Sequence, residues 1–302
     1  MRKKWSFEPV GMRWFRPPGA LARGTLGVIA WNGARILVQL IWIVMAARLL
    51  GADGYGLFSG IAGLAVTIGG FIGLGMGLRM YQDVAREPTL FATRWSQACS
   101  GMVLSFLPVG ACYLLLSAVI FPGLDWGVLL LIGGAELLGA PLVSLVAFAY
   151  AAKGRVVLAA AVPVAMAGAR VLAVVAMMAI QPHPELRSYA WLHVLMTGTA
   201  AFCMLIGAAR LLDAHWQPSR LSWSDIKSGL GFSSLWASGL AFSSFDKTLA
   251  LRYSSAVEAG TYAASQRFAS MVAMPVEALV SAALPRLFRD GAGMREHPRL
   301  LP

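Results

Sequence analysis

The chain has 302 residues, of which 58% are hydrophobic and only 13% are charged, and its formal net charge is +11. A soluble domain carries about 25% charged residues, so a chain at half that fraction cannot cover itself with a water-facing surface. These values exclude a soluble enzyme and predict an all-α integral membrane protein, because a helix satisfies its own backbone hydrogen bonds in lipid.

A basic arm, residues 1–23, comes first; its Trp and Phe side chains among the cations predict a position at the membrane surface. The hydrophobic residues that follow form eight blocks, each close to the roughly 20 residues that a helix needs to cross a bilayer. We therefore expect about eight transmembrane helices. The blocks cover residues 26–49, 56–78, 95–120, 127–151, 156–180, 189–212, 229–251 and 261–284.

The Lys and Arg residues are distributed unevenly between the two predicted sides of the membrane. With the N terminus in the cytoplasm, 18 of the 25 cations lie on the inner side, 3 on the outer side and 4 within the spans. This positive-inside bias predicts a multi-pass protein of the bacterial inner membrane with both termini in the cytoplasm. The bias also accounts for the pI of about 10.1, so we expect no nucleic-acid partner.

Several signals of cofactor chemistry are missing from the sequence. The three cysteines lie in apolar blocks without CxxC spacing, which is typical of packing residues. The sequence contains no GxxxxGK[ST] motif for ATP phosphates and no HExxH motif for zinc. We therefore expect neither a metal nor an organic cofactor.

Two passages of the sequence echo each other. The first, over residues 47–58, reads Ala-Arg-Leu-Leu-Gly-Ala-Asp-Gly-Tyr-Gly-Leu-Phe, with Arg48 ahead of Gly54-Tyr55. The second places Arg252 ahead of a similar Gly-Thr-Tyr. Weak internal repetition of this kind is expected in transporters built from repeated halves. The second passage comprises Asp246-Lys247, Arg252, Gly260-Thr261-Tyr262-Ala263-Ala264, Gln266-Arg267, Pro275 and Leu284-Pro285.

In their order and hydropathy spacing, these passages resemble the polysaccharide-transport branch of the multidrug/oligosaccharidyl-lipid/polysaccharide (MOP) flippase superfamily. The resemblance implies two six-helix lobes around a central cavity, alternating access, and a lipid-linked oligosaccharide, carried on undecaprenyl diphosphate, as the cargo. It also implies that helices 1, 2, 7 and 8 line the cavity. The expected partners are membrane lipids and a glycan polymerase or glycosyltransferases.

The resemblance divides the chain into a first six-helix lobe (24–212), a cytoplasmic linker (213–228), the first two helices of a second lobe (229–285) and a cytoplasmic tail (286–302). Members of the family have twelve to fourteen spans, whereas this chain has about eight. We therefore expect a truncated copy, whose second lobe stops after two helices.

Ionisable side chains within the spans are the candidates for cargo binding, because each costs at least about 2.5–3.5 kcal/mol at the bilayer centre. Arg35 lies near the middle of the first block, and Asn32 and Gln39 share its helical face. We expect Arg35 to bind the cargo diphosphate; the alternative is a polar contact within the bundle.

A second group of candidates lies on the seventh and eighth predicted helices: Asp246, Lys247, Gln266 and Arg267. In an antiparallel hairpin Asp246 and Arg267 have similar depth, so an ion pair between them is expected, with Lys247 projecting about 100° away. Such a pair either contributes to the binding site or only fixes the hairpin.

Two further groups favour structural roles. Glu136 and Arg170 are expected to pair within the first lobe. Gly69, Gly73 and Gly77 form a small-xxx-small ridge, which is typical of close helix packing.

Three other functions stay open. A cation-coupled drug exporter of the same superfamily needs an acid in the cavity, where the first helix offers only Arg35. A membrane-embedded polyprenyl-phosphate transferase needs metal-binding acids in a cytoplasmic loop, and residues 79–94 offer only Asp83 and Glu87. A truncated copy is also compatible with a non-transporting membrane scaffold.

Overall fold

The computed structural model describes residues 20–181, 184–267 and 269. Helices occupy nearly all of this part, which contains no strand, and the expected all-α class is confirmed. Residues 256–267 form the start of a further helix, called here the C-terminal helix. The other helices are α1 (Ala20–Gly69), α2 (Met76–Arg86), a short 3-10 turn (Pro88–Leu90), α3 (Phe91–Ile120), α4 (Trp126–Ala152), α5 (Val156–Ile180), α6 (Leu186–Leu211) and α7 (Trp223–Tyr253).

Large apolar side chains cover the outer surface of the helical bundle, among them Leu107, Leu115 and Leu172. Such a surface suits lipid rather than water, and the protein has the architecture of a multi-pass membrane protein. The predicted count of eight spans stays a prediction, because α7 is long but less apolar and most of the eighth block, 261–284, lies outside the described residues. Five helices in the described residues are long and apolar enough to cross a bilayer: Leu26–Gly69, Pro88–Ile120, Trp126–Ala152, Val156–Ile180 and Leu186–Leu211.

The first of these five segments is a hairpin rather than one rod. Gly51 has a non-helical backbone (φ 70°, ψ 175°), which a glycine adopts without a Cβ clash. The ring centroids of Trp42 and Phe58 lie 5.8 Å apart across this bend. In a straight helix sixteen residues would separate their backbones by about 24 Å. The two halves of α1 therefore correspond to the predicted helix 26–49 and to the first part of the predicted helix 56–78.

The second half of α1 ends at Gly69, nine residues before the predicted end. A turn follows in which Gly73, Leu74 and Gly75 all have positive φ, so an α-helix cannot continue through it. Residues 76–78 consequently belong to α2. The hydropathy block did not reveal the break, because the turn residues are as apolar as the helix itself.

The second half of α1 packs on α7 through a seam of glycines. A Cβ added to Gly63 would lie 2.4 Å from the carbonyl oxygen of Ser244, and one added to Gly70 would lie 2.8 Å from the Cα of Ala237. Only glycine allows backbones to approach this closely. The Thr248 hydroxyl also donates to the Gly60 carbonyl at 2.8 Å. The helices run antiparallel, since the partners on α7 fall in number as those on α1 rise.

At the end of this seam the two echoing motifs touch each other reciprocally. Gly56 and Gly260 lie eight residues after Arg48 and Arg252, respectively. A Cβ on Gly56 would lie 1.9 Å from the carbonyl oxygen of Ala256, and a Cβ on Gly260 would lie 2.0 Å from that of Ala52. Because Ala52 and Ala256 are themselves equivalent positions, the contact has the form of a local two-fold.

The predicted ridge of Gly69, Gly73 and Gly77 lies on a different side of the chain. Cβ atoms added there would meet side chains of α3 and α4 at 3.3–3.6 Å, among them Met102 and Phe148. These are tight to ordinary packing distances. The predicted helical ridge is wrong, because α1 ends at Gly69, Gly73 lies in the turn and Gly77 lies in α2. The three glycines still pack against α3 and α4, whereas closer backbone contacts lie in the seam with α7.

An ion-pair network at one end of the bundle connects α2, α3 and α7. Asp225, in the first turn of α7, accepts a hydrogen bond from Arg79 at 2.7 Å, and Asp83 Oδ2 lies 2.8 Å from the Arg94 Nε in an ion pair. Asp225 also forms a capping box with Ser222. Hydrogen bonding from the Ser222 hydroxyl, together with Arg79, lowers the pKa of Asp225. The network fixes the start of α7 against the first lobe.

From the close contact in the seam we predict that a single added methyl group destabilises the protein. In Gly63→Ala the new Cβ meets backbone that cannot yield, so we expect a loss of about 1–3 kcal/mol, typical of overpacking. This loss outweighs the roughly 1 kcal/mol that alanine gains over glycine inside a helix. The measurement is the thermal unfolding midpoint of the purified protein.

Gly239→Ala on α7 is the matched control, because no atom lies within 4 Å of its added Cβ. That variant is expected to be neutral or slightly stabilised. Equal midpoints for the two variants would contradict the close backbone contact at Gly63.

Candidate functional site

A small charged cavity lies inside the bundle, between α1, α4, α5, α7 and the C-terminal helix. Four charged side chains line it: Glu136, Arg170, Lys247 and Arg267. Its volume is about 40 Å³. That is enough for one or two waters and far too little for a sugar or a diphosphate. The structure therefore has this cavity in a closed form.

The strongest interaction in the cavity wall joins α4 to α5. Arg170 Nη2 donates to both oxygens of Glu136, at 2.8 and 2.6 Å, and Glu136 is only 2% exposed. A carboxylate buried this deeply costs several kcal/mol unless a cation compensates it. The Arg170 guanidinium also lies over the Trp42 ring, 5.4 Å from the centroid. The expected Glu136–Arg170 pair is confirmed.

His193 on α6 completes this buried group. Its side chain is fully buried, and its Nε2 lies 3.4 Å from Glu136 Oε1. Neither ring nitrogen has a hydrogen-bond partner among the described residues. The rings of Phe58 and Tyr189 enclose the imidazole, with centroids at 5.1 and 5.7 Å.

Sequence reasoning missed His193 because it searched histidines for metal-ligand spacing. The available signal was different: His193 lies inside the predicted span 189–212, where any titratable group is unusual. Its partner Glu136 lies two helices earlier in the chain, so no local pattern connects them.

Lys247 and Asp246 form a pair on α7. Lys247 Nζ lies 3.2 Å from Asp246 Oδ1 and donates to the Ser243 carbonyl at 2.7 Å. The Lys247 side chain is nearly buried at 3% exposure. The two side chains leave the helix about 100° apart, as predicted. They still meet, because the flexible lysine stem bends back along the helix.

The expected ion pair between Asp246 and Arg267 is wrong for the described structure. Asp246 Oδ2 instead accepts from the Tyr262 hydroxyl at 2.9 Å and from Gln266 Nε2. Tyr262 and Gln266 are four residues apart and so share the face of the C-terminal helix that meets α7. Arg267, one position later, points about 100° away from that face and lines the cavity.

Arg267 is consequently the cation without a matching acid. Glu136 pairs with Arg170 and Asp246 pairs with Lys247, whereas Arg267 has no carboxylate within 4 Å in the described part of the chain. Among these five side chains the formal charge is +1. A net positive, water-sized space inside an apolar bundle is chemically suited to an anion.

The first predicted group lies outside this cavity. Arg35 is partly buried on the first half of α1, with Gln39 partly buried and Asn32 exposed beside it. Arg35 Nε is shielded from solvent and has no hydrogen-bond partner among the described side chains. Arg35 shares the helical face of Trp42, about 10 Å along the axis from the cavity wall. Its role in cargo binding stays a prediction.

No protein-family model, curated protein or solved structure matches the chain in the comparisons. The resemblance to the MOP flippases therefore depends on the two motifs and their spacing. Within the described residues, no group of three or more His, Cys, Asp and Glu side chains is placed to hold a metal ion.

The Glu136–Arg170 geometry generates a double-mutant prediction. Arg170→Leu leaves a buried carboxylate without its cation, and we expect a loss of about 3–5 kcal/mol in stability. Glu136→Leu combined with Arg170→Leu removes both charges, and most of that loss is expected to be recovered. Thermal unfolding of the two single variants and the double variant measures the coupling. Simple addition of the two single effects would show that the side chains do not interact.

Proposed function

We propose that the chain is a flippase, or part of one, that exports undecaprenyl-diphosphate-linked oligosaccharide for cell-surface polysaccharide synthesis. The observation that carries the proposal is the cation at Arg267, for which the described part of the chain offers no carboxylate partner, in a cavity whose other charges are paired. A guanidinium held inside a membrane protein is costly unless it meets an anion. The diphosphate of a lipid-linked sugar is an anion that enters the bilayer.

The cavity offers a phosphate group more than one positive point charge. Arg170 and Arg267 both present planar guanidinium groups, which match two phosphate oxygens at once, and Lys247 adds a compact charge. The Ser59 and Ser244 side chains line the same space. Hydroxyl groups of this kind bind phosphate or sugar oxygens without adding charge.

A path for the cargo is supported by a second cavity further along the seam. It has a volume of about 100 Å³ and is lined by the turn after α1 and by α3, α4 and α7. The two cavities share Val66. Together they follow the second half of α1 through the bundle. Alternating access then requires the seam between α1 and α7 to open from one end and then the other.

The alternatives receive less support. A cation-coupled drug exporter needs an acid that is available before any anion enters the cavity, but Glu136 is paired with Arg170. A transferase needs metal-binding acids, and Asp83 is already paired with Arg94 and Arg79. A scaffold function needs no internal charges at all, so the buried ionisable cluster disfavours it.

The proposed topology has eight spans in the bacterial inner membrane, with both termini in the cytoplasm. It places Glu185 on the outer side and Gln217 on the inner side, both with exposed side chains. In a variant without native cysteines, Glu185→Cys should react with an impermeant thiol reagent in intact cells. Gln217→Cys should react only after permeabilisation. Labelling in the opposite order would reverse the proposed orientation.

The cargo proposal predicts that Arg267→Ala weakens binding of an undecaprenyl-diphosphate-linked disaccharide to the purified protein in nanodiscs. A hydrogen bond to a charged group is worth about 1.5–3 kcal/mol, so the expected loss of affinity is about 10- to 100-fold. Arg267→Lys should recover only part, because an ammonium cannot form the bidentate contact. Arg35→Ala is expected to weaken binding too if the cargo also contacts the first half of α1.

The matched control is Arg252→Ala, which removes an exposed arginine at the end of α7 and outside the cavity. It is expected to bind like the wild type. Wild-type affinity in Arg267→Ala would remove the cavity from the cargo site. Equal losses in Arg267→Ala and Arg252→Ala would indicate a general effect of charge.

A further inference from the structure

Arg170 lies between two possible partners, a carboxylate and a cavity. Its Nη2 supplies both hydrogen bonds to Glu136, while its Nε has no hydrogen-bond partner among the described residues. The side chain lines the cavity together with Lys247 and Arg267. An anion in that cavity therefore competes with Glu136 for the same guanidinium.

Glu136 cannot stay charged if Arg170 turns toward an anion. The carboxyl group is 2% exposed, and in the described part of the chain the only other basic side chain within 4 Å of it is His193. His193 is itself fully buried, with both ring nitrogens unpartnered. A buried carboxylate that loses its cation takes up a proton, because the neutral form avoids most of the desolvation cost.

Ionisable groups face Glu136 from five helices. Arg170 faces it from α5, and His193 and Tyr189 face it from α6. Across the cavity lie Tyr55 on α1, Lys247 on α7 and Arg267 on the C-terminal helix. Of these groups only His193 ordinarily changes charge between pH 5 and 8. The proton therefore belongs to the Glu136–His193 pair as a unit.

We propose that the Glu136–His193 pair is a proton-binding site coupled to anion binding in the cavity through Arg170. The inference rests on the proposed function, and it names the proton as the coupled ion. When an anion enters, Arg170 moves its Nη2 hydrogen bonds from Glu136 to the anion, and the pair takes one proton from water. When the anion leaves, Arg170 returns to Glu136 and the proton is released. Apart from this proton transfer, no covalent bond changes.

By thermodynamic linkage, an anion that binds together with a proton binds more tightly as the pH falls. The affinity is expected to rise by up to about tenfold per pH unit, over the range in which the pair is deprotonated in the unbound protein. It levels off once the pair is protonated without the anion.

The test uses inorganic pyrophosphate and the purified full chain in nanodiscs, with affinities measured by calorimetry from pH 5 to pH 8.5. The chief variant is Glu136→Gln, which leaves Arg170 without a carboxylate partner. It is expected to bind pyrophosphate more tightly than the wild type at the upper end of the range. Glu185→Gln, an exposed acid at the start of α6, is the matched control. Pyrophosphate's own titration cancels when the proteins are compared at each pH.

Two further measurements keep the test decisive if Glu136→Gln does not fold. The wild type is titrated with sulfate, which does not itself titrate in this range, in two buffers of different ionisation enthalpy. We expect uptake of about one proton per sulfate at the upper end of the range. His193→Gln retains the Glu136–Arg170 pair and is expected to move the pH dependence to lower pH.

The outcomes separate this inference from the proposed function. If the wild type binds neither anion at any pH, the anion site fails and the proposed function with it. If it binds without proton uptake, or if Glu136→Gln follows the same pH profile as Glu185→Gln, only the proton site is overturned. A steeper profile in the wild type than in Glu136→Gln supports it.

Discussion

The structure depends on the close approach of two backbones along the glycine seam between α1 and α7. Gly63 lies against the Ser244 carbonyl of α7, Gly60 lies against the Leu251 side chain, and Gly56 lies against the Ala256 carbonyl of the C-terminal helix. These contacts leave no room for lipid or water between the helices. The reciprocal contact of Gly56 and Gly260 fixes the register at one end. Once that register is set, Lys247 has to lie against the wall formed by α4 and α5. The charged cavity is thus a consequence of the seam.

Charges in this cavity follow the rule that a buried ion needs a partner. Glu136 and Asp246 each satisfy it with a nearby cation; Glu136 is buried and Asp246 is partly buried. Arg267 departs from the rule, and such departures usually mark functional positions in membrane proteins. Because Arg170 neutralises Glu136, the presence of this acid does not give the cavity a net negative charge.

Much of the fold follows from hydropathy, because a bilayer allows few alternatives to a helix of about 20 apolar residues. The Glu136–Arg170 pair was predictable as well, since the two charges lie in neighbouring spans. The break at Gly69 was not, because apolar turn residues carry no hydropathy signal. Asp246 was assigned to Arg267 from depth alone. Which of the neighbours Gln266 and Arg267 contacts Asp246 depends on the rotation of the C-terminal helix about its axis, because successive residues point about 100° apart.

The two sides of the seam contribute charges of the same sign to one small space. Arg170 comes from the first lobe, whereas Lys247 and Arg267 come from α7 and the C-terminal helix. Their mutual repulsion opposes closure of the seam, and the glycine contacts oppose its opening. An anion that enters once the space has widened attracts both sides, so it binds a form in which the cations lie close around it better than a form in which they are far apart. That difference in affinity is what a ligand needs to shift a conformational equilibrium. In this arrangement, binding of an anionic cargo changes the repulsion between the two sides of the seam, and this change couples cargo binding to movement of the seam.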